Sequence, residues 1–393
     1  MHMSPIQPIP PDLVDQIIDH CHADKATLRI LSRVCKTWKP ASRYHLFSSI
    51  RLDPLNLTPF LRLLKTPSSA SSIGPLVTHL DLETDYNLPL FIRAIPSLSK
   101  HLPQVRSLRL EIRNEEEIFE WKYGIRSPPR ARQDLTGVFL GIFPTITLLE
   151  LWITCDTLLE VVGLSTSFPS LESLALSVHL TCESHSALEQ DAATAPLASG
   201  LFSAEPSRLR KLTLMRAEPY VIRWLLRHQP LPRPSRLSME ISFMTNADIS
   251  NTGRFLRGAG GDLQHLSLKS AESIYLLYEH IELSNHDNLR SLAVHVWMYA
   301  VPVMIYLLSS LSSTVLEELD FAAWESEDDG EDGRCWAKLN ALLSGPRFVK
   351  LRRVTVDVNE ERSVDLAERL SDIYLRGIMH FRNQRGVVYS LSA

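Results

Sequence analysis

The chain has 393 residues, 45% of them hydrophobic and 22% charged, the balance of an ordinary globular protein with room for a substantial core. Its 41 Lys and Arg stand against 45 Asp and Glu, a net charge of −4, so no basic field directs it to nucleic acid. Five cysteines, Cys21, Cys35, Cys155, Cys182 and Cys335, are scattered without a CxxC pair. That spacing sets aside a disulfide scaffold or zinc knuckle and fits a reducing compartment, cytoplasmic or nuclear. The opening MHMSPIQPIPP has no basic stretch ahead of an apolar run, so no secretory leader is expected.

In chain order, the first element is PIPPDLVDQIIDHC, residues 8 to 21. Leu13, Val14, Ile17, Ile18 and Cys21 fall on one face of an amphipathic helix, with Pro10 and Pro11 at its entry and Asp12 and Asp15 near its positive end. Asp24 then suits a cap for a second helix, KATLRILSRVCKTWK, whose stripe is Leu28, Leu31, Cys35 and Trp38 with Ile30 and Val34 beside it. Pro40 opens a third short helix, PASRYHLF, and SSIRL reads as an edge strand. Three such helices make a core too small to be comfortable alone and carry more apolar surface than they can hide.

From residue 77 one phrase returns, apolar-x-x-apolar-x-apolar. It is VTHLDLE at 77, VRSLRLEI at 105, ITLLELWI at 146, LESLALSV at 171 and LRKLTLMR at 209, then LQHLSLKS at 263, LRSLAVHV at 289, LEELDFAA at 316 and LRRVTVDV at 351. A weaker copy, PSRLSMEI, starts at 234. Helical patterns lie between the copies: LPLFIRAIPSLSKHL, EPYVIRWLLRH, SIYLLYEHI, VPVMIYLLSSL and CWAKLNALLSG. The steps of 25 to 29 residues match a leucine-rich repeat, and the longer ones carry insertions. Stacked neighbours bury together the faces that one strand and helix cannot bury alone. The expectation is an α/β chain, a small N-terminal helical module over 8–48 followed by an irregular leucine-rich-repeat solenoid over 49–393. A compact α/β domain with chance LxxLxL matches is the alternative, disfavoured by ten copies in one order.

The asparagine or cysteine usual eight residues after the first anchor is replaced by Asp85, Arg113, Thr154, His179, Ala217, Ser242, Ala271, Trp297 and Trp324, and appears only as Asn359. The turns leaving the strands must therefore satisfy their backbone groups in other ways. Insertions fall near 113–134, 181–207 and 325–334; the last, ESEDDGEDGR, lacks the bidentate glutamate of a calcium loop and reads as a solvated acidic loop. Residues 363–381, SVDLAERLSDIYLRGIMHF, read as an amphipathic helix sealing the end of the stack. No Asp, Glu, Lys or Arg lies between Arg290 and Glu317, a length that would span a bilayer. His295, Pro302 and four serines interrupt it, and strand, turn and buried helix account for it without a membrane.

IPPDLVDQIIDHC, then LRILSRVCKTW and RYHLFSSIRL, resemble the F-box family, in particular F-box proteins of mushroom-forming fungi that continue into irregular leucine-rich repeats. Ile9-Pro10 stands for the family's Leu-Pro start, and Cys21 stands where leucine is commoner. The resemblance covers residues 8 to 52. It implies docking on the Skp-type adaptor of a cullin–RING ubiquitin ligase, with the repeats holding a protein substrate. On that resemblance the adaptor contacts are Ile9, Pro10, Leu13, Val14 and Ile17 from the first segment and Leu28, Leu31, Val34 and Trp38 from the second, while Ile18 and Ile30 belong to the helical core.

No phosphate loop, GxGxxG, HExxH or GxSxG occurs, so no catalytic role, cofactor or metal is expected. His20, Cys21 and His22 point around a helix rather than converging on an ion. Substrate contacts are sought between and just beyond the repeat leucines: Arg106, Arg109, Arg113, Glu150, Trp152, His179, Lys211, Arg216, Lys269, His295, Trp297 and Trp324. Trp152, Trp297 and Trp324 either form a binding hot spot or plug the irregular turns.

Overall fold

In the computed structural model the described residues are 9–66, 73–84, 88–112, 139, 142–155, 158–180, 208–215, 219–227, 231–241, 245–270, 280–296, 300–322, 329–358, 360–383 and 385–390. The chain divides into two compact units, Met1–Trp152 and Ile153–Ala393.

The first unit begins with three helices, α1 (Pro11–His20), α2 (Lys25–Val34) and α3 (Lys39–Phe47). Prolines preset the backbone at the starts of α1 and α3, where a missing N–H costs nothing. Asp24 caps α2, accepting from the Ala26 and Thr27 amides at 2.9 and 3.1 Å. Val14, Ile18 and Leu28 form the helical core, with Cys21, Leu31, Trp38, Ala41 and Leu46 packed against it. Asp19 of α1 meets His45 of α3 at 2.7 Å.

The second helix is shorter than its sequence pattern. It ends at Val34 because Cys35 turns to extended backbone, φ −160° and ψ 177°, its thiol 2.9 Å from the Thr37 hydroxyl. Cys35 and Trp38 therefore lie beyond the helix, and Trp38 starts α3 instead. Two expected contact residues, Val14 and Leu28, are buried in the helical core, and Ile30, expected inside, is exposed. Leu28 sits on the side of α2 that closes over α1, while Ile30, two residues on, points away.

After this module come β1 (Ser49–Leu52), α4 (Leu57–Lys65), β2 (His79–Thr84), α5 (Leu88–His101), β3 (Ser107–Ile112) and β4 (Leu148–Cys155), which crosses the end of the unit. Strands β1, β2 and β3 are parallel neighbours in chain order, Ser49 opposite His79 and His79 opposite Ser107. Each step is locked by two successive amides donating to one carbonyl of the strand before. Thr78 and His79 donate to Ser48, Arg106 and Ser107 to Thr78, and Thr147 and Leu148 to Arg106, all between 2.8 and 3.1 Å.

The second unit repeats the design. Its strands β5 (Ser173–Leu180), β6 (Lys211–Met215), β7 (Arg236–Ile241), β8 (His265–Ser270), β9 (Ser291–Val296), β10 (Glu318–Ala322), β11 (Arg353–Asp357) and β12 (Met379–Arg382) are neighbours in chain order. Those from β5 to β12 are parallel. The intervening helices are α6 (Leu158–Thr166), α7 (Pro219–Leu226), α8 (Asn246–Ala259), α9 (Ala300–Ser310) and α10 (Asp329–Ser344). The repeat leucines alternate into the interior: Leu212 and Leu214, Leu266 and Leu268, Leu319 and Phe321 are all buried. Each fully buried side chain of this size stabilises by about 1.5–3 kcal/mol, so the two on each of these strands fix it to the interior. This alternation of parallel strands and helices, with the LxxLxL strand in each turn, is an α/β solenoid of the leucine-rich-repeat type.

All ten repeat phrases form strands, and SSIRL supplies β1. VPVMIYLLSSL is the buried helix α9, and among the described residues no helix is long and apolar enough to cross a membrane. Two expectations change. The acidic run is helical from Asp329 onward, as the start of α10. The terminal amphipathic helix is broken into α11 (Ser363–Arg369) and α12 (Ser371–Leu375), then gives way to β12. Gly377, at φ +69°, ends α12 in a left-handed turn, and Met379 and Phe381 alternate inward as strand residues beside β11. A two-residue strand β13 (Val388–Tyr389) folds back antiparallel on β12.

Candidate functional site

Three surfaces concentrate chemistry. The first is the helical module. Its core uses Val14 and Ile18, one turn apart, and this leaves a second apolar stripe one residue out of phase. Ile9, Leu13 and Ile17 are 51, 49 and 41% exposed, and on α2 Ile30 and Val34, also one turn apart, are 67 and 57% exposed. Pro10 is exposed, and Leu31 and Trp38 are half-buried against the core. Of the nine expected contacts, Ile9, Pro10, Leu13, Ile17 and Val34 thus present surface, Leu31 and Trp38 present part, and Val14 and Leu28 none. His22 turns its Nδ1 to the Asp19 carbonyl at 2.7 Å, so the HCH run is tied into the module.

The second is the polar face of the strands in the first unit. Arg51 of β1 pairs with Glu83 of β2, and Arg109 of β3 bonds Glu111 at 2.8 Å and stands 4.0 Å from Asp81. The Arg109 guanidinium lies 5.0 Å from the Trp152 ring centre, a cation–π contact. Among the described residues, the Trp152 indole N–H and the Asp81 Oδ1 are buried without hydrogen-bond partners. Burial raises the Asp81 carboxyl above its usual range, against the pull of Arg109 and Arg51. Sequence reasoning named Arg109 and Trp152 but not Asp81, Glu83 or Glu111, whose alternation with the leucines was the available signal. Trp297 and Trp324 lie outside the described residues, as do Arg113 and Arg216.

The third is the polar face of the second unit. His295 of β9 stands 3.3 Å from Asp357 of β11 and 3.8 Å from Asp320 of β10. It reaches Asp357 because the residue opposite Asp357 on the intervening strand is Ala322, whose side chain stops at Cβ. Arg382 of β12 pairs with Asp320 and, at 3.3 Å, with Asp357. Among the described residues His295, Asp320 and Asp357 are the one His/acid group close enough to hold a metal. The guanidinium supplies positive charge to both carboxylates, so their proximity is accounted for as an ion network. Further along the same face, β6 to β9 bound a shallow cavity of about 140 Å³. Of the other expected contacts, Lys211 lines this cavity and Lys269 lies on β8 outside its lining, while His179 is on β5, Glu150 on β4 and Arg106 just before β3. Cys21, Cys35 and Cys335 are free thiols.

No family model and no curated protein sequence matches the chain. Among solved structures, it is similar to the leucine-rich repeat-containing protein LegL7 from Legionella pneumophila, at 14% identity over 88% of this chain and 89% of that one, with a TM-score of 0.37. A Bacteroides fragilis protein matches at 10% identity over 82% of this chain and 72% of its own, with a TM-score of 0.36. Superpositions this loose add nothing to the strand order, which defines the repeat by itself.

Proposed function

We propose that the chain is the substrate-receptor subunit of a cullin–RING, SCF-type ubiquitin ligase, acting in the cytoplasm or nucleus. Residues 8–48 form an F-box that docks on the Skp-type adaptor, and the repeats from 49 onward bind a protein substrate. The observation that supports this best is the second apolar stripe, Ile9, Leu13 and Ile17, left uncovered by a module whose core needs only Val14, Ile18 and Leu28. A module of this size does not spend large apolar side chains on solvent without a partner to cover them. The chain supplies no chemistry of its own in this reading. It raises the concentration of a bound substrate beside a ligase assembled elsewhere.

The test is co-expression of the full chain with a Skp-type adaptor and cullin, followed by capture. Leu13→Asp places a charge at the middle of the stripe, and an interface anchor is worth about 2–4 kcal/mol, roughly 30- to 1000-fold in affinity. Capture of adaptor and cullin, lost with Leu13→Asp while the melting temperature is kept, supports the ligase. Adaptor captured without cullin supports a repeat scaffold whose F-box acts outside a ligase. Failure to capture adaptor overturns both.

A further inference from the structure

The cavity on the polar face of the second unit has an unusual wall. Parallel register sets Lys211 opposite Arg236 and Arg236 opposite His265, three basic side chains on adjacent strands about 4.8 Å apart. Like charges at paired positions oppose sheet formation. Lys211 and Arg236 are exposed, and neither side chain has an ion-pair or hydrogen-bond partner among the described residues. Two residues further along the same strands, the register sets Thr213, Ser238, Ser267 and Ala293 in one row. That row is the floor, and it is low because none of the four side chains exceeds three heavy atoms. The three hydroxyls make no hydrogen bond within the described protein.

We infer that this trough binds a phosphate group, a phosphate monoester carried on a protein side chain or on a small molecule. Two cations, Lys211 and Arg236, and the His265 imidazole beside a row of hydroxyl donors match a compact, doubly charged tetrahedral oxyanion better than a planar carboxylate, which offers two acceptor oxygens. None of the carboxylates on the same face of β6 to β10 forms an ion pair with the wall among the described residues, although Glu318 acts on His265 from one strand away. Glu240 is level with Lys269, Glu318 is separated from His265 by Ser291, and Asp320, opposite Ala293, is engaged by Arg382. Arg290, at the foot of β9, is held by Glu317 at 3.1 Å. Burial lowers the His265 imidazole below its usual value, with Arg236 and Arg290 adding to the effect against Glu318, so the ring favours its neutral form and an anion bound beside it would pull the value back up. The inference stands whether or not the helical module docks on an adaptor.

The experiment uses the full chain in a phosphate-free buffer at fixed ionic strength. Inorganic phosphate, a phosphoserine peptide and its unphosphorylated form, and acetate are titrated by calorimetry while the His265 ring is followed by NMR. Saturable binding of phosphate or phosphopeptide is expected, with a His265 shift that acetate and the plain peptide do not give. Arg236→Gln should weaken it roughly tenfold. Ser267→Leu, which fills the floor and keeps every charge, should abolish it with the fold intact by circular dichroism. A phosphopeptide that binds better than inorganic phosphate makes the source a modified protein, and equal binding makes it a free phosphate compound. Equal responses to acetate, no saturation, or full binding by Ser267→Leu overturns the site.

Discussion

Gly253, in the middle of α8, is a position where two physical rules give opposite signs. Helix propensity says that Gly→Ala in a helix interior stabilises by about 0.8–1.0 kcal/mol. The packing says otherwise, because a Cβ at Gly253 would lie 2.0 Å from the His280 carbonyl oxygen and 2.9 Å from its carbon. That is more than an ångström short of ordinary contact, and the obstacle is backbone of the next repeat, which cannot rotate aside. The same carbonyl accepts from Arg257 at 3.4 Å, so pushing it away also weakens a link between repeats. Overpacking of this kind costs about 1–3 kcal/mol, and against backbone it falls at the upper end, so it exceeds the propensity gain and leaves a net loss of up to about 2 kcal/mol. Two neighbours calibrate the reasoning. At Gly258 the Cβ would meet Leu231 Cδ1 at 2.0 Å, the free end of a flexible side chain, so Gly258→Ala should be near neutral. At Gly261 nothing lies within 4 Å, so Gly261→Ala should gain up to about 0.4–1 kcal/mol by restricting the unfolded chain. Urea unfolding followed by circular dichroism, with unchanged slope, reads the three midpoints in the order Gly261→Ala, Gly258→Ala, Gly253→Ala from most to least stable. A Gly253→Ala variant as stable as the wild type refutes the close approach of α8 to His280.

Stability should also fall as the solution is acidified. His286 is fully buried, and burial lowers its pKa, opposed by the carbonyls of Leu283 and Leu256 and the charge of Asp287. Because the folded value is the lower one, both states are neutral above the ordinary value near 6.5, and below it the unfolded chain takes up a proton that the folded chain resists. Melting temperatures between pH 7.5 and 5 should drop, and His286→Leu should flatten the slope; an unchanged slope rejects His286 as a source. Arg382→Ala should destabilise by about 1–3 kcal/mol, between the values for exposed and buried ion pairs, since it leaves Asp320 and Asp357 with His295 as their one remaining partner in the cluster. Arg382→Lys should recover only part of the loss, a single ammonium nitrogen lacking the two terminal nitrogens that engage Asp320 and Asp357 separately, and full recovery in denaturant unfolding speaks against the forked geometry.

The repeat body was legible because its signal is redundant. Leu108, Leu110 and their equivalents follow one phrase ten times, and every copy became a strand. The helices α5, α7, α9 and α10 fall where periodicity placed them. The misreadings sit where the pattern continues after the backbone has changed. The apolar stripe of α2 runs on to Trp38, but Cys35 is extended, and nothing in apolar spacing marks that change. Residues 363–381 keep helical spacing through Met379, yet Gly377 and a free neighbouring strand outweigh it locally. Val14 and Leu13 are adjacent and equally greasy; which of them faces α2 depends on a rotation of α1 by one residue's turn, a tertiary choice that periodicity cannot make.

The polar face resisted reading for a different reason. Its residues alternate with the leucines, so each was identifiable, but their meaning depends on which strand comes next and in what register. Asp320 and Asp357 are 37 residues apart in sequence and meet His295 only because parallel pairing aligns Ala322 with Asp357 and opens the space between. Lys211, Arg236 and His265 were three isolated basic residues until the amides at the foot of each strand fixed one repeat against the next. A one-residue slip of β7 would turn Arg236 toward the interior and bring Leu237 to the surface. The buried leucines therefore fix the composition of the polar face as firmly as they fix the core, and chemistry on that face is a consequence of register.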